Sequence, residues 1–195
     1  MAPAPAVLLM AGAARPRPDL RELLGDERAG ALERLLVARA TQWAEALSPG
    51  RVTTAEDGEP LGDAVGRVSE GASGGPAPVP LVIVWPVLPQ WRPAHADAVR
   101  DDLAAGCEAS VAPVFDGGLY LLAMTRVIPA LLDLPAEAWD SPDVTGLVLA
   151  PINEAQAPVG LVRPERALRR AADVHAALAD PLLDQELRAL LTASC

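Results

Sequence analysis

Two rhythms of apolar and polar positions alternate along the chain. Short continuous apolar runs bounded by proline and glycine read as strands buried on both faces. Leu81-Val82-Ile83-Val84-Trp85 is the clearest, and residues 6–11 read the same way. Two further strands, 109–115 and Leu119 to Met124, flank Asp116-Gly117-Gly118, while Arg51 to Ala55 and Val159 to Val162 are shorter candidates. Between them the apolar positions recur at helical spacing. Leu32, Leu35, Leu36, Trp43 and Leu47 predict a long helix from Asp26 to about Leu47, stopped by Pro49-Gly50. Residues 60–70 form a shorter helical pattern weakened by Gly62 and Gly66. Pro93 suits a first helical turn, so a helix is expected from there to Ala105, with Gly106 as its stop. Helical patterns also cover 127–134, broken by Pro129, then 143–149, bounded by Pro142 and Pro151, then 164–179 and 182–192. Residues 14–18, 71–78 and 86–93 have loop composition. Alternating strands and helices predict an α/β fold with a mixed, mainly parallel sheet. Residues 1–195 show no internal repeat and no long linker, so one domain is expected.

Composition narrows the function classes. The chain has 195 residues, of which 51% are hydrophobic and 22% charged, with a net charge of −10. That balance lacks the basic footprint of a nucleic-acid or anionic-membrane binder, so neither partner is expected. All 16 basic residues are arginine, which excludes chemistry that needs a lysine, such as a P-loop or a Schiff base. Abundant alanine, proline and glycine beside this arginine bias suggest a GC-rich bacterial source. Two cysteines, Cys107 and the terminal Cys195, make no disulfide framework. The first apolar run is too short to cross a bilayer. A cytoplasmic location is the expectation.

Candidate chemistry gathers after the strands. Asp116-Gly117-Gly118 between two apolar runs is a tight hairpin signal. It is equally a place where a carboxylate stands at a strand end and glycines let a ligand approach the backbone. Arg15, Arg17 and Arg21 follow the first strand, where an open α/β sheet binds ligands, so they form either a phosphate clamp or a solvated proline-held loop. Neither GxGxxG nor a P-loop is present. His95, His175 and Cys107 have no partners at metal-ligand spacing and read as structural or solvent-facing. Asp101 and Asp102 read as a solvated helix face. Trp85 and Trp91 flank a proline-rich loop and either stack on a base or sugar or cap the sheet.

Several segments, taken in order, resemble a small bacterial glycosyltransferase-A-like family similar to the guanylyltransferases of 2-phospho-lactate and the molybdenum cofactor. They are Val7-Leu8-Leu9-Met10-Ala11 with its Pro/Arg loop, Leu24-Gly25-Asp26-Glu27, Leu61-Gly62-Asp63-Ala64-Val65, Leu81-Val82-Ile83-Val84 and Pro93-Ala94-His95. The most specific is Pro113-Val114-Phe115-Asp116-Gly117-Gly118-Leu119-Tyr120-Leu121, which looks like the family's Pro-x-x-Asp-Gly-Gly-Tyr-Tyr-Leu block. Trp139-Asp140-Ser141-Pro142 resembles its Trp-Ser-Thr-Pro segment. The resemblance implies a three-layer α/β/α nucleotide-diphospho-sugar transferase-like domain. It also implies a nucleotide or nucleotide-sugar ligand, with Mg²⁺ or Mn²⁺ held by acids.

The departures from that pattern fall on the metal ligands. Trp85-Pro86-Val87-Leu88-Pro89 places Val87 where the family's Gly-Ser-Asp-x-Pro carries its acid, and Ala167-Leu168-Arg169 stands at the second acidic site. Arg17 stands in for the family's first-loop lysine. Valine cannot ligate a hard cation, and arginine repels one. No cofactor is therefore expected, with Mg²⁺ or Mn²⁺ admitted only if an acid from elsewhere, such as Asp140 or Asp143, fills the gap. The expectation is a degenerate transferase-like protein without conventional metal-dependent catalysis that binds a nucleotide or a protein partner. Arg15, Arg17, Gly117, Gly118 and Arg169 would contact the nucleotide and its phosphates, and Asp116 would be the catalytic candidate. The alternatives are an active metal-independent nucleotidyl- or glycosyltransferase, and a structural homo-oligomerising module that docks through the Trp85–Trp91 loop.

Overall fold

A computed structural model describes residues 4–72 and 79–192. Strand β1 (Ala6–Leu9) leads through a 3-10 turn (Ala11–Ala14) into α1 (Pro18–Leu24) and α2 (Asp26–Leu47). Next come β2 (Val52–Thr54), α3 (Leu61–Ala72), β3 (Leu81–Val84), α4 (Pro93–Ala104), and the hairpin of β4 (Ala109–Pro113) with β5 (Leu119–Met124). The chain closes with α5 (Pro129–Leu132), a second 3-10 turn (Ala136–Asp140), α6 (Val144–Glu154), β6 (Val159–Leu161), α7 (Ala171–Ala179) and α8 (Gln185–Leu191).

The six strands form one sheet in the order β2-β1-β3-β5-β4-β6. Val7 pairs with Val52 and Leu8 with Ile83 in parallel register. Strand β5 alone is reversed, with Ile83 opposite Leu122 on one side and Val111 opposite Leu122 on the other. Every residue of β1, β3 and β5 is buried. Successive strand residues point to opposite faces, so helices must cover both faces, and the fold is three-layer α/β/α with a mixed, mainly parallel sheet. Among the described residues no helix is long and apolar enough to cross a membrane.

Buried apolar side chains fall into two clusters. The first is the sheet with its flanking helices. The second joins Leu20 and Leu24 of α1 and Leu32 and Leu36 of α2 with Leu168, Val174 of α7 and Leu187 of α8.

The structure corrects five readings of the sequence. Residues 14–18 read as a loop, yet Pro18 opens α1, because proline lacks only an N–H that a first helical turn leaves unused. Helix α6 runs through Pro151 to Glu154, carried by the fully buried stripe Val144, Val148 and Ile152. Residues 164–170 are extended, and α7 begins only at Ala171. Their backbone donors and acceptors serve neighbouring strand ends: Glu165 N–H donates to the Pro113 carbonyl at 3.2 Å and Leu168 N–H to the Val87 carbonyl at 2.8 Å. Asp102 is half-buried and not a freely solvated residue; its carboxylate accepts from the fully buried Ser110 hydroxyl at 2.5 Å. The Trp85–Trp91 loop is less open than its composition suggests: Trp85, Val87 and Leu88 are buried, and residues 89–91 are partly exposed. The loop expected over 71–78 overlaps the end of α3 at Ala72, and its residues 73–78 lie outside the described residues.

Candidate functional site

Because only β5 is reversed, the carboxyl ends of β1, β2, β3, β4 and β6 and the start of β5 share one rim of the sheet. Open α/β sheets bind ligands outside such a rim. The loops that meet there carry Arg15 and Arg17 after β1, Glu56 and Asp57 after β2, and Trp85 to Leu88 after β3. The Asp116 turn follows β4, and residues 162–170 follow β6. The 3-10 turn Ala136–Asp140 is fastened to the same rim by Trp139, which stacks on Trp85 with ring centroids 5.6 Å apart.

At the centre of the rim two arginines flank one acid. Arg169 Nη2 donates to Asp140 Oδ1 at 2.6 Å, and Arg17 Nη2 donates to the Asp140 carbonyl at 2.9 Å while lying 3.9 Å from its carboxylate. Arg17 N–H also donates to the Arg169 carbonyl at 2.9 Å, which ties the two loops together. The Arg169 side chain is only 11% exposed, whereas that of Asp140 is 67% exposed. The Nε–H groups of both arginines are buried without a protein partner.

Arg15 stands apart from that pair. Its guanidinium bonds the Asp57 carboxylate, which raises its pKa further, and lies 3.8 Å from Glu33. This ion pair divides two clefts. One, about 280 Å³, is lined by Met10, Glu56, Trp85, Trp139 and Asp140; the other, about 530 Å³, lies against α2 and contains Arg34. Arg21 is not part of the site, since it turns to Asp26 at 3.0 Å.

The hairpin turn between β4 and β5 lies on the same rim. Gly117 has φ +88°, and a Cβ there would lie 1.7 Å from the Pro142 carbonyl oxygen. A glycine is therefore demanded twice, by conformation and by the close approach of the segment that follows Asp140. The Gly118 N–H lies 3.4 Å from Asp116 Oδ1, and Arg170 Nη2 lies 3.5 Å from Asp116 Oδ2. Asp116 is thus both the turn residue and a carboxylate held at the rim.

The residues present do not fit a divalent cation. Val87 is 1% exposed, and its carbonyl is taken by Leu168 N–H. The Asp140 carboxylate stands between two guanidiniums, 2.6 Å from Arg169 and 3.9 Å from Arg17, which leaves a cation no favourable place beside it. Asp143 is exposed at the surface. Among the described residues no three His, Cys, Asp or Glu side chains converge as a metal site would require.

Beside the rim, a hollow of about 620 Å³ lies between α2 and α4, lined by Trp43, Trp91, Arg39 and Arg92. Of the residues singled out for chemistry in the sequence it contains only Trp91, and Arg39 is spent on Asp184 and Glu186. Trp91 packs on Trp43 with centroids 4.7 Å apart. His95 is buried and so not solvent-facing; its Nδ1 accepts from Arg92 N–H at 3.3 Å and its Nε2 faces Glu165 at 3.4 Å. Burial lowers its pKa against the pull of Glu165.

Sequence reasoning overlooked Asp57 as the partner of Arg15, Trp139 as the partner of Trp85, and Arg170 as the partner of Asp116. Asp57 carried a usable signal, since it directly follows a predicted strand of a parallel sheet.

No protein-family model matches the chain, and no curated protein matches it. Sixteen solved chains do. Among them is a crystal structure from Desulfovibrio desulfuricans G20, provisionally classed as a nucleotide-diphospho-sugar transferase. The two share 19% sequence identity with a TM-score of 0.72, over 98% of this chain and 94% of that one. The likeness therefore spans nearly the whole of both chains, and what it establishes is a common fold.

Proposed function

We propose that this chain is a degenerate nucleotide-diphospho-sugar transferase-like protein that binds a nucleotide or nucleotide-sugar at the sheet rim without a divalent cation. The observation that carries this reading is the Arg17–Arg169 pair. It stands at the carboxyl rim, where the fold directs ligands, and supplies fixed positive charge of the kind that diphosphates otherwise draw from a metal. In this reading Arg15 and the cleft beside it receive the nucleoside and Arg17 and Arg169 hold the phosphates, whereas Gly117, whose open side is filled by the Pro142 carbonyl, and the buried Gly118 shape the turn and do not meet the ligand. Asp116 faces the sugar or acceptor.

The lack of converging acids among the described residues, and of any lysine in the sequence, supports binding over catalysis, because charge developing on a leaving diphosphate loses its usual stabilisers. The arginines also leave room for the second reading, an active metal-independent transferase, and turnover separates the two.

The test is thermal denaturation with a panel of nucleotides and nucleotide-sugars, each in Mg²⁺, in Mn²⁺ and in EDTA. A ligand at a hundred times its dissociation constant stabilises the fold by about 2.7 kcal/mol. For a chain of this size that moves the midpoint by roughly 5–10 °C. The expected result is a shift that survives EDTA and disappears in Arg169→Ala. A shift that requires the metal, or none with any nucleotide, refutes the proposal.

A further inference from the structure

The Arg17–Arg169 pair already holds an anion, and that anion belongs to the protein. We infer that the Asp140 carboxylate is an internal placeholder in a two-arginine phosphate site, so that a diphosphate enters by exchange with Asp140. The inference rests on the reading of the rim as a nucleotide site and adds how that site is kept closed to other anions.

Four observations support exchange. First, two guanidiniums share one carboxylate, and the neighbouring Asp173 carboxylate is occupied by the backbone N–H groups of Arg169 and Arg170 at 3.0 and 2.9 Å, not by either guanidinium. Second, the donors are not exhausted. A guanidinium offers five N–H groups, and the buried Nε–H of each arginine has no protein partner. A diphosphate, with more oxygens than a carboxylate, can fill donors that Asp140 leaves empty. Third, the fit is one-sided. Asp140 makes a short bond to Arg169 at 2.6 Å but lies 3.9 Å from Arg17, which reaches the Asp140 backbone carbonyl instead. Fourth, burial runs opposite to what a permanent ion pair would show. Arg169 is sequestered while Asp140 is two-thirds exposed, so the acid can rotate into water at little cost and the cation cannot.

Position supplies the route. Asp140 also lines the 280 Å³ cleft that contains Arg15, and it is the residue that contacts both Arg17 and Arg169, which do not line that cleft themselves. A nucleoside seated in the cleft would bring its phosphates against the Asp140 carboxylate. Like charges would then drive the side chain outward as the phosphates take its place. Trp139 keeps the turn itself in register through its stack on Trp85, so exchange needs a side-chain rotation and no loop movement. The arrangement also sets a threshold: a singly charged anion gains little over the resident carboxylate, whereas a diphosphate gains additional bonds.

The experiment is calorimetric titration with inorganic pyrophosphate and with inorganic phosphate, in EDTA, on the full chain and three variants. Asp140→Asn keeps the side-chain shape and the backbone carbonyl that Arg17 uses. It should bind pyrophosphate roughly twofold to fivefold tighter than the wild type, the range expected when an exposed ion pair no longer has to be broken. It should also narrow the preference for pyrophosphate over phosphate. Asp143→Asn removes the same charge three residues away, on an exposed side chain, and should leave the affinity unchanged. Arg169→Met should weaken binding at least tenfold.

Equal tightening in Asp140→Asn and Asp143→Asn would reduce the effect to long-range charge and overturn the exchange. So would unchanged or weaker binding in Asp140→Asn. Nucleotide binding that persists undiminished in Arg169→Met would overturn this site while leaving a nucleotide pocket elsewhere on the rim. Absence of both nucleotide and pyrophosphate binding in every variant would overturn the two readings together.

Discussion

Replacing Gly117 by alanine is the sharpest single test of the rim geometry. Two costs add at this position. The residue has φ +88°, and placing a Cβ in the left-handed region costs about 1–2 kcal/mol. The new methyl would also meet the Pro142 carbonyl oxygen at 1.7 Å and its carbon at 2.8 Å, backbone atoms that cannot rotate aside. Relief requires the 141–145 segment to retreat from the turn. That retreat breaks the bonds that Thr145 makes to the Gly117 carbonyl, through its N–H at 3.1 Å and its hydroxyl at 2.8 Å, each worth about 1 kcal/mol. The sum is about 3–4 kcal/mol, or roughly 10 °C in the melting midpoint for a chain this long. Gly118→Ala is the internal control. Its φ is not positive, and its Cβ would touch only the Val114 side chain at 3.0 Å and the Asp116 carboxylate at 3.4 Å, so it should cost about 1 kcal/mol or less. Urea unfolding of both variants beside the wild type measures the difference. If Gly117→Ala falls within about 1 kcal/mol of the wild type, the close approach of Pro142 to the turn is wrong.

Other expectations follow from the ion pairs and buried polar groups. Arg39 grips the Asp184 carboxylate at 2.7 and 2.9 Å and Leu187 N–H caps it at 3.0 Å, which holds its pKa down to about 2 from an ordinary 3.8. The stability it contributes is complete above pH 3.8 and is lost as the pH falls toward 2, so Asp184→Asn should flatten the acid limb of a stability–pH curve. His95 has the opposite chemistry and the same direction. Burial lowers its folded pKa below 6.5, so protonation favours the unfolded chain and stability declines as the pH drops below that value. His95→Gln should remove that slope, and parallel curves for the two proteins would contradict it. Ser110→Ala strips the donor from the Asp102 carboxylate and should cost about 1–3 kcal/mol. Gly160→Ala, whose Cβ would lie 2.2 Å from that carboxylate, should break the same bond, so in urea unfolding the double variant should lose less than the sum of the singles.

What the sequence made legible was whatever short-range pattern could encode. The continuous apolar run of β3 and the helical spacing of α2 come through almost residue for residue, since burial on both faces or on one stripe leaves a mark on neighbouring positions. The Asp116-Gly117-Gly118 turn was legible for the same reason, although the contact that makes Gly117 indispensable comes from Pro142, which no local pattern announces. Residues 164–170 were misread because Ala167 and Leu168 continue a helical spacing, while the backbone bonds that hold the segment extended go to Pro113, Phe115 and Val87. The site shows the same division. Val87 and Arg169 could be placed by resemblance, and Arg17 by its position after a strand. Their common partner Asp140 sits 123 residues from Arg17 and 29 from Arg169, a separation that only folding resolves.

The second apolar cluster puts a seam through the molecule. Arg17 is the residue just before α1, and Arg169 lies two residues before α7, so both stand where the chain passes into the helical cluster built on Leu20, Leu32, Val174 and Leu187. Asp140 and Val87 belong to segments anchored on the sheet. The contacts at the rim therefore rivet one packing unit to the other. In amide hydrogen exchange, units of this kind open separately, and the weaker one exchanges first. The C-terminal helices α7 and α8 would be expected to open without melting β3 or β5. An anion held between Arg17 and Arg169 would clamp the seam and slow exchange in those helices, while amides at the centre of the sheet would barely register its presence.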